Sequence, residues 1–176
     1  NFYTHILWVL EKALWDKSYA SRALKLLILF CEKHFEYKLT NKPEDTLYRV
    51  FCIWYPQGIF SFEQRKLLLD DIVKNHKTMA SGLVKALLSP GSQTSSPISK
   101  PKWKPIDRIQ DDNNVSEVQE MQKFISSLFL DNISPRYDDW KTVFSDLSMF
   151  SELSIIVTFA TSLRRTSPTP SILQST

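Results

Sequence analysis

Apolar residues recur at spacings of three and four along the first part of the chain, as in amphipathic helices. Over residues 2–15 the repeat comprises Ile6, Leu7, Leu10 and Leu14, with Trp8 and Trp15 extending it. Ser18 is predicted to cap a second helix that runs to about residue 34. The residues of that helix predicted to face inward are Ala20, Ala23, Leu24, Leu27, Ile28 and Cys31. Because the connection is short, the two helices are predicted to be antiparallel neighbours.

Loop signals separate the next helical segments. Asn41-Lys42-Pro43 predicts a loop, and the apolar spacing from Thr46 to Trp54 predicts a short helix. A strand at Val50–Tyr55 is the alternative, because β-branched and aromatic residues are crowded there. Ser61-Phe62-Glu63-Gln64 matches a capping box that starts another helix. The core residues predicted for this helix and the one after it are Leu67, Leu68, Ile72, Val73, Leu83, Val84, Leu87 and Leu88.

The composition changes after residue 89. Pro90, Pro97, Pro101 and Pro105 interrupt a run of Ser, Thr and Lys, so no helix is predicted there. A further helix is predicted after Asn114, with a stripe of Val115, Val118, Met121, Phe124, Ile125 and Leu128. Its partner is predicted over residues 137–150, after Ser134-Pro135. Residues 153–163 fit a helix or a strand, and the Ser, Thr and Pro residues from Arg164 onward predict disorder.

These segments predict an all-α fold of stacked antiparallel helical hairpins, similar to an α-solenoid, with a disordered C-terminal tail. The predicted boundaries are 1–89 for the first helical unit, 90–112 for a Pro/Ser/Lys-rich connection, 113–150 for a further hairpin and 151–176 for the tail. Three glycines in 176 residues also favour helices over folds that use glycine in tight turns and phosphate loops.

Several features bear on the cellular setting. Because Asn1 is not an initiator Met and the first residues already fit a helix, we expect a segment of a longer protein. The longest apolar run, Leu26 to Cys31, is too short to span a bilayer. Cys31 and Cys52 are expected to be buried and reduced, with a disulfide as the alternative. We therefore expect a cytoplasmic protein without a membrane partner.

No residue pattern predicts catalysis, a metal site or a cofactor. Neither a P-loop nor a GxGxxG motif is present, and His5, His34 and His76 are far apart. Neighbouring carboxylates such as Glu44-Asp45 and Asp70-Asp71 diverge by about 100° on a helix, so they do not form an acid/base couple. We expect them to be solvated or to lie at helix N-termini.

One basic stretch is a candidate interaction site. It is called here the basic strap and consists of Lys100, Lys102, Trp103, Lys104 and Arg108. The preferred interpretation places Trp103 in a hydrophobic gap with the lysines in water, because the net charge of the chain is only +3. In the alternative, the lysines hold a phosphate backbone while the ring stacks on a base.

A succession of residues along the first 104 positions resembles the C-terminal helical region of large bacterial STAND-type NTPases associated with antiphage defence. The residues that carry the resemblance are Leu7, Glu11, Ala13, Trp15, Tyr19, Arg22, Asn41, Pro43, Leu47, Phe51, Trp54, Tyr55, Pro56, Gln57, Glu63, Arg65, Asp70, Leu87, Leu88, Ser96, Pro97, Lys100, Pro101, Lys102 and Trp103. The sequence departs from the pattern at Gly58, where the family has Thr, and in the tail.

The resemblance implies a sensor or scaffold that recognises a protein, or upstream domains of the same chain, and regulates the NTPase. It carries over no catalytic residue. A nucleic-acid-binding helical module that uses the basic strap is the alternative function.

Overall fold

The fold is all-α in the part of the chain that the computed structural model describes, residues 2–33, 41–88, 97–103, 106 and 115–132. The helices are α1 (Phe2–Ala13), α2 (Ala20–Glu32), α3 (Pro43–Phe51), α4 (Phe62–Asn75), α5 (Lys77–Leu88) and α6 (Val115–Asn132). The all-α prediction is confirmed. The strand alternative at Val50–Tyr55 is wrong, because α3 runs through Phe51 and no strand occurs in the described ranges.

The first two helices form the predicted antiparallel hairpin. Tyr3, near the start of α1, lies beside Phe30, near the end of α2, with their ring centroids 5.4 Å apart. All six residues of α2 that were predicted to face inward are buried. The N-cap of α2 is Tyr19 rather than Ser18, and Ser18 lies in the preceding turn, where its amide donates a hydrogen bond to Asp16 Oδ1 (2.8 Å). Trp8 is 44% exposed, so it does not extend the buried face of α1.

The third helix is displaced from its predicted position. It begins at Pro43, whose fixed φ and missing N–H suit the first turn. Glu44 and Asp45 lie in that turn, where negative charge is favourable. Trp54 was predicted to belong to this helix, but it lies beyond the end of α3 and is exposed.

A turn after α3 brings the chain back to the first hairpin. The Gln57 amide donates to the carbonyl of Arg49 (2.9 Å), and the Ile59 amide donates to the carbonyl of Leu14 (3.2 Å). Gly58, between them, has a φ of 96°, and a Cβ there would lie 3.2 Å from the Leu14 oxygen. Glycine suits this position because L-residues rarely adopt such a backbone conformation.

The fourth helix begins with the predicted capping box. Ser61 Oγ accepts from the Gln64 amide (3.3 Å), and Gln64 Oε1 accepts from the Ser61 amide (3.0 Å). The predicted core face was partly wrong, since Leu67 is 71% exposed. The buried residues of α4 are Arg65, Leu69, Ile72 and Val73. Arg65 occupies a core position, in line with Leu69 one turn later. Leu67 lies two residues before Leu69 and therefore on the opposite, exposed side of the helix.

The last described helix completes the core. Helix α6 packs on α4 and α5, and α3 joins α2 to α5. The four apolar residues predicted for α5 are buried. In α6 the predicted stripe is buried at Val118, Met121, Ile125 and Leu128, whereas Val115 is exposed at the first residue of the helix. One hydrophobic cluster includes residues from all six described helices.

Several predictions lie outside the described residues: those for His34, Lys104 and Arg108, the partner helix over 137–150 and the tail 151–176. No described helix has the length and hydropathy needed to cross a membrane.

Candidate functional site

Residues 97–103 are attached to the helical core by two hydrogen bonds, one of them buried and the other partly buried. The Ile98 amide donates to Gln57 Oε1 at 2.6 Å, and the Ile98 side chain is itself part of the core. The next amide, that of Ser99, donates to Glu11 Oε2 at 2.9 Å. Two consecutive backbone donors therefore fix this segment, which carries three residues of the basic strap.

Glu11 is the central acceptor of this arrangement. Its other oxygen, Oε1, accepts from Thr46 Oγ1 at 2.9 Å and from Asn41 Nδ2 at 3.0 Å. Glu11 and Thr46 are both buried. One carboxylate thus joins α1, the region around the start of α3 and the 97–103 segment. A buried carboxylate requires such partners, because its charge is costly to remove from water.

Two tryptophan rings of this region each have a lysine ammonium group beside them. Lys100 Nζ lies 4.6 Å from the centroid of the Trp15 ring, and Lys12 Nζ lies 5.5 Å from that of Trp103. Trp15 is buried, but Trp103 is 74% exposed. The expectation that Trp103 occupies a hydrophobic gap is therefore wrong. Trp15 is the buried tryptophan of this region, and Lys100 and Lys102 are exposed, as expected for lysines in water.

An open groove lies between α1 and α2, and Pro101 and Trp103 of the 97–103 segment also line it. It has a volume of about 590 Å³. It is lined by Val9, Leu10, Lys12, Ala13, Trp15, Asp16, Tyr19, Arg22, Ala23, Leu26, Pro101 and Trp103. This groove, called here the α1–α2 groove, combines an apolar floor with a few charged groups, as binding sites commonly do.

The groove is continuous with apolar residues that remain exposed on the same two helices. Val9 and Leu26 line it, and Leu29 follows Leu26 on α2 at a spacing of three, which places it on the same face. All three are about half exposed or more. Contiguous apolar residues on a surface commonly mark interaction sites. Sequence periodicity had assigned only the opposite, buried faces of these helices.

Arg65 is the other unusual polar residue. It is buried, and its Nε and Nη1 have no hydrogen-bond partner. Burial lowers the pKa of Arg65 to about 10, and the negative charge of Glu117 opposes that shift. The guanidinium carbon lies 5.9 Å from the centroid of the Phe62 ring. Apart from its place in the family resemblance, the sequence did not predict that Arg65 is buried, because an arginine at helical spacing is ordinarily placed on the solvated face.

The cysteines and His76 make contacts that belong to the packing of the helices. Cys31 and Cys52 are free and buried, as expected. Burial, with a smaller effect of the nearby Glu44, raises the pKa of Cys31 to about 12. His76 Nδ1 lies 2.5 Å from Glu32 Oε1 and links α2 to the junction of α4 and α5. Within the described ranges, no group of three or more His, Cys, Asp or Glu residues is arranged to hold a metal ion.

No protein-family model matches the chain, and no curated protein or solved structure is significantly similar to it.

Proposed function

We propose that this chain is a non-catalytic helical-repeat segment that recognises a protein partner through the α1–α2 groove. The groove itself carries the proposal: an apolar trough between two helices, with Val9 and Leu26 exposed along it. Helix pairs commonly receive an apolar face of a partner in such a trough. A partner that covers these side chains removes apolar area from water, which favours association.

The proposal also places the segment in a larger protein of the STAND-type NTPase class, cytoplasmic and acting in antiviral defence. The resemblance described above supports this class. The order of packing supports stacked hairpins, because α1 contacts α2, α2 contacts α3 and α3 contacts α5. In such a protein, binding at the repeats biases the state of the NTPase by differential affinity. A P-loop encoded upstream of Asn1 in the same reading frame is the expected finding.

A photo-crosslinking experiment tests the recognition function. A photoreactive amino acid replaces Leu26, which lines the groove and is 49% exposed. The matched control carries it at Leu67, an exposed leucine of α4. We expect irradiation in cells of the source organism to link position 26, but not position 67, to a defined protein. Equal labelling at both positions, or none, contradicts the proposal.

A nucleic-acid-binding module is the second candidate, and the exposure of Trp103 favours it. An exposed indole beside Lys12, with Lys102 next to it in sequence, can stack on a base while lysines contact phosphates. Filter binding with single-stranded RNA and DNA at low and physiological salt tests this function. Binding that falls steeply with salt and is lost in Lys102→Ala and Trp103→Ala supports it. Unchanged binding in both variants excludes the basic strap as the site.

A further inference from the structure

We infer that the α1–α2 groove binds one side of an acidic amphipathic helix: its apolar face enters the groove and its flanking carboxylates meet the cations at the edges. The inference rests on the proposed protein-recognition function and specifies the chemistry of the partner. It depends on the apolar lining of the groove and on the placement of the charges at its edges.

The floor of the groove suits the apolar side chains of a helix. Ala13 on α1 and Ala23 on α2 both line it. Small residues on two adjacent helices leave room for side chains of a third helix to enter between them. Val9 and Leu26 flank this floor and remain partly exposed. An inserted helix with apolar residues at spacings of three and four therefore finds a continuous apolar surface.

The charges at the edges of the groove select acidic flanks. Lys12 from α1 and Arg22 from α2 both line the groove, so each helix contributes one cation. Lys12 Nζ also lies 5.5 Å from the centroid of the Trp103 ring, a contact that does not neutralise its charge, and Arg22 is exposed.

The negative charge in the groove is small by comparison. Asp16 is the acidic residue among the lining side chains, and its Oδ1 already accepts a hydrogen bond from the Ser18 amide. Lys100 does not line the groove, but its Nζ lies over the ring of Trp15, which does, so it adds a cation beside the groove. An acidic partner is therefore attracted from both sides, whereas a basic partner is repelled.

The same charges argue against other occupants. A second copy of this chain would bring its own Lys12 and Arg22 toward an identical groove, which places like charges together. A nucleic acid could neutralise the cations, but its phosphates would leave the exposed apolar side chains of Val9 and Leu26 uncovered. An acidic amphipathic helix can cover the apolar lining of the groove and pair its carboxylates with Lys12 and Arg22 at the same time.

A synthetic peptide provides a direct test. The probe is a fluorescein-labelled helical peptide of about five turns, with leucines at spacings of three and four and glutamates on both flanks. The matched peptide carries lysine at every glutamate position. We expect fluorescence anisotropy with the full chain at low salt to show about tenfold tighter binding of the acidic peptide, with the difference shrinking as salt is raised.

Variants connect the binding to the groove. Leu26→Glu, at a partly exposed position, is expected to weaken the acidic peptide about tenfold, while Leu67→Glu leaves it unchanged. The double variant Lys12→Glu/Arg22→Glu is expected to reverse the preference toward the lysine peptide. Circular dichroism of each variant checks that the helices are intact. Equal affinities for both peptides, or full binding by Leu26→Glu, overturn the inference.

The two proposals fail in different ways. If position 26 crosslinks to a protein in cells but the acidic peptide does not bind, the partner chemistry is wrong and the recognition function stands. If neither occurs, both are wrong. If a duplex or single-stranded nucleic acid competes with the acidic peptide at physiological salt and the lysine peptide does not, the groove serves the alternative function and the inference is overturned.

Discussion

Replacing Glu11 by Gln tests whether one buried carboxylate attaches the 97–103 segment to the helices. The substitution keeps the shape of the side chain and removes one acceptor oxygen. The remaining oxygen can still accept from Asn41 and Thr46 at the Oε1 position. The new amide group then faces the N–H of Ser99, which donates to Oε2 in the parent chain. Two donors oppose each other there, so the Ser99 bond is lost.

The magnitude follows from the number of contacts. A hydrogen bond to a charged group contributes about 1.5–3 kcal/mol, and a buried donor without an acceptor costs about 1–3 kcal/mol. Against this loss, the variant no longer buries a charge. We therefore expect Glu11→Gln to lower the free energy of unfolding by about 2 kcal/mol. Glu11→Ala removes the acceptor for all three donors and should lower it by about 3–5 kcal/mol.

Two measurements check this expectation. Urea unfolding followed by circular dichroism gives the change in the free energy of unfolding. Amide hydrogen exchange reports the site: the Ser99 amide should lose protection, whereas the Ile98 amide keeps its bond to Gln57. Glu63→Gln on the exposed surface of α4 is the matched control and should change stability by less than about 0.5 kcal/mol. A Glu11→Gln variant that is as stable as the parent, with Ser99 still protected, would refute the reasoning.

Three further expectations follow from other buried groups. Arg65→Met should raise the free energy of unfolding by about 1–3 kcal/mol in urea titrations, because it removes a buried cation with unpaired donors; a lower stability would contradict this. Between pH 9 and 10 the melting temperature should fall, because burial raises the pKa of Cys31 from 9.0 to about 12 in the folded state, so the unfolded chain releases a proton that the folded chain retains. Cys31→Ala should reduce the slope of melting temperature against pH, and an unchanged slope would contradict the assignment to Cys31. Gly58→Ala should lower the melting midpoint and cost about 1–3 kcal/mol, because alanine is strained at that φ and its Cβ approaches the Leu14 oxygen; a neutral effect would show that the turn can shift.

Local signals predicted the helices well. The capping box at Ser61 depends on atoms within four residues, and the sequence contains all of them. The six buried residues of α2 follow a regular helical period without an interrupting charge, so the pattern identified the whole face. Helix formation and the burial of one apolar face are both decided largely by neighbouring positions.

The polar part of the core could not be predicted in the same way. Glu11 lies among buried apolar positions of α1, yet its acceptor role depends on partners 30, 35 and 88 positions away. Arg65 occupies a core position of α4 and displaced the predicted face toward Leu67. Periodicity places a charged residue in solvent by default, so a buried one shifts the predicted face.

The candidate site was predicted only in part. The sequence indicated the basic strap, of which Lys100 lies over the Trp15 ring and the Trp103 ring lies beside Lys12. The α1–α2 groove was not predicted, because it needs the outer faces of two helices and a segment about 80 positions farther along the chain to meet. Periodicity describes which side of a helix is buried, and it contains no information about what lies next to the other side.

The anchoring of the 97–103 segment links the stability of the core to recognition in the groove. Pro101 and Trp103 line the groove, and the hydrogen bonds of Ile98 and Ser99 anchor the segment that carries them. A partner that contacts Pro101 or Trp103 binds only the anchored state, so its apparent affinity scales with the anchored fraction. Glu11→Gln therefore weakens binding only if it releases the segment in a substantial share of molecules. An affinity that stays constant while Ser99 loses protection would mean that α1 and α2 alone form the binding surface.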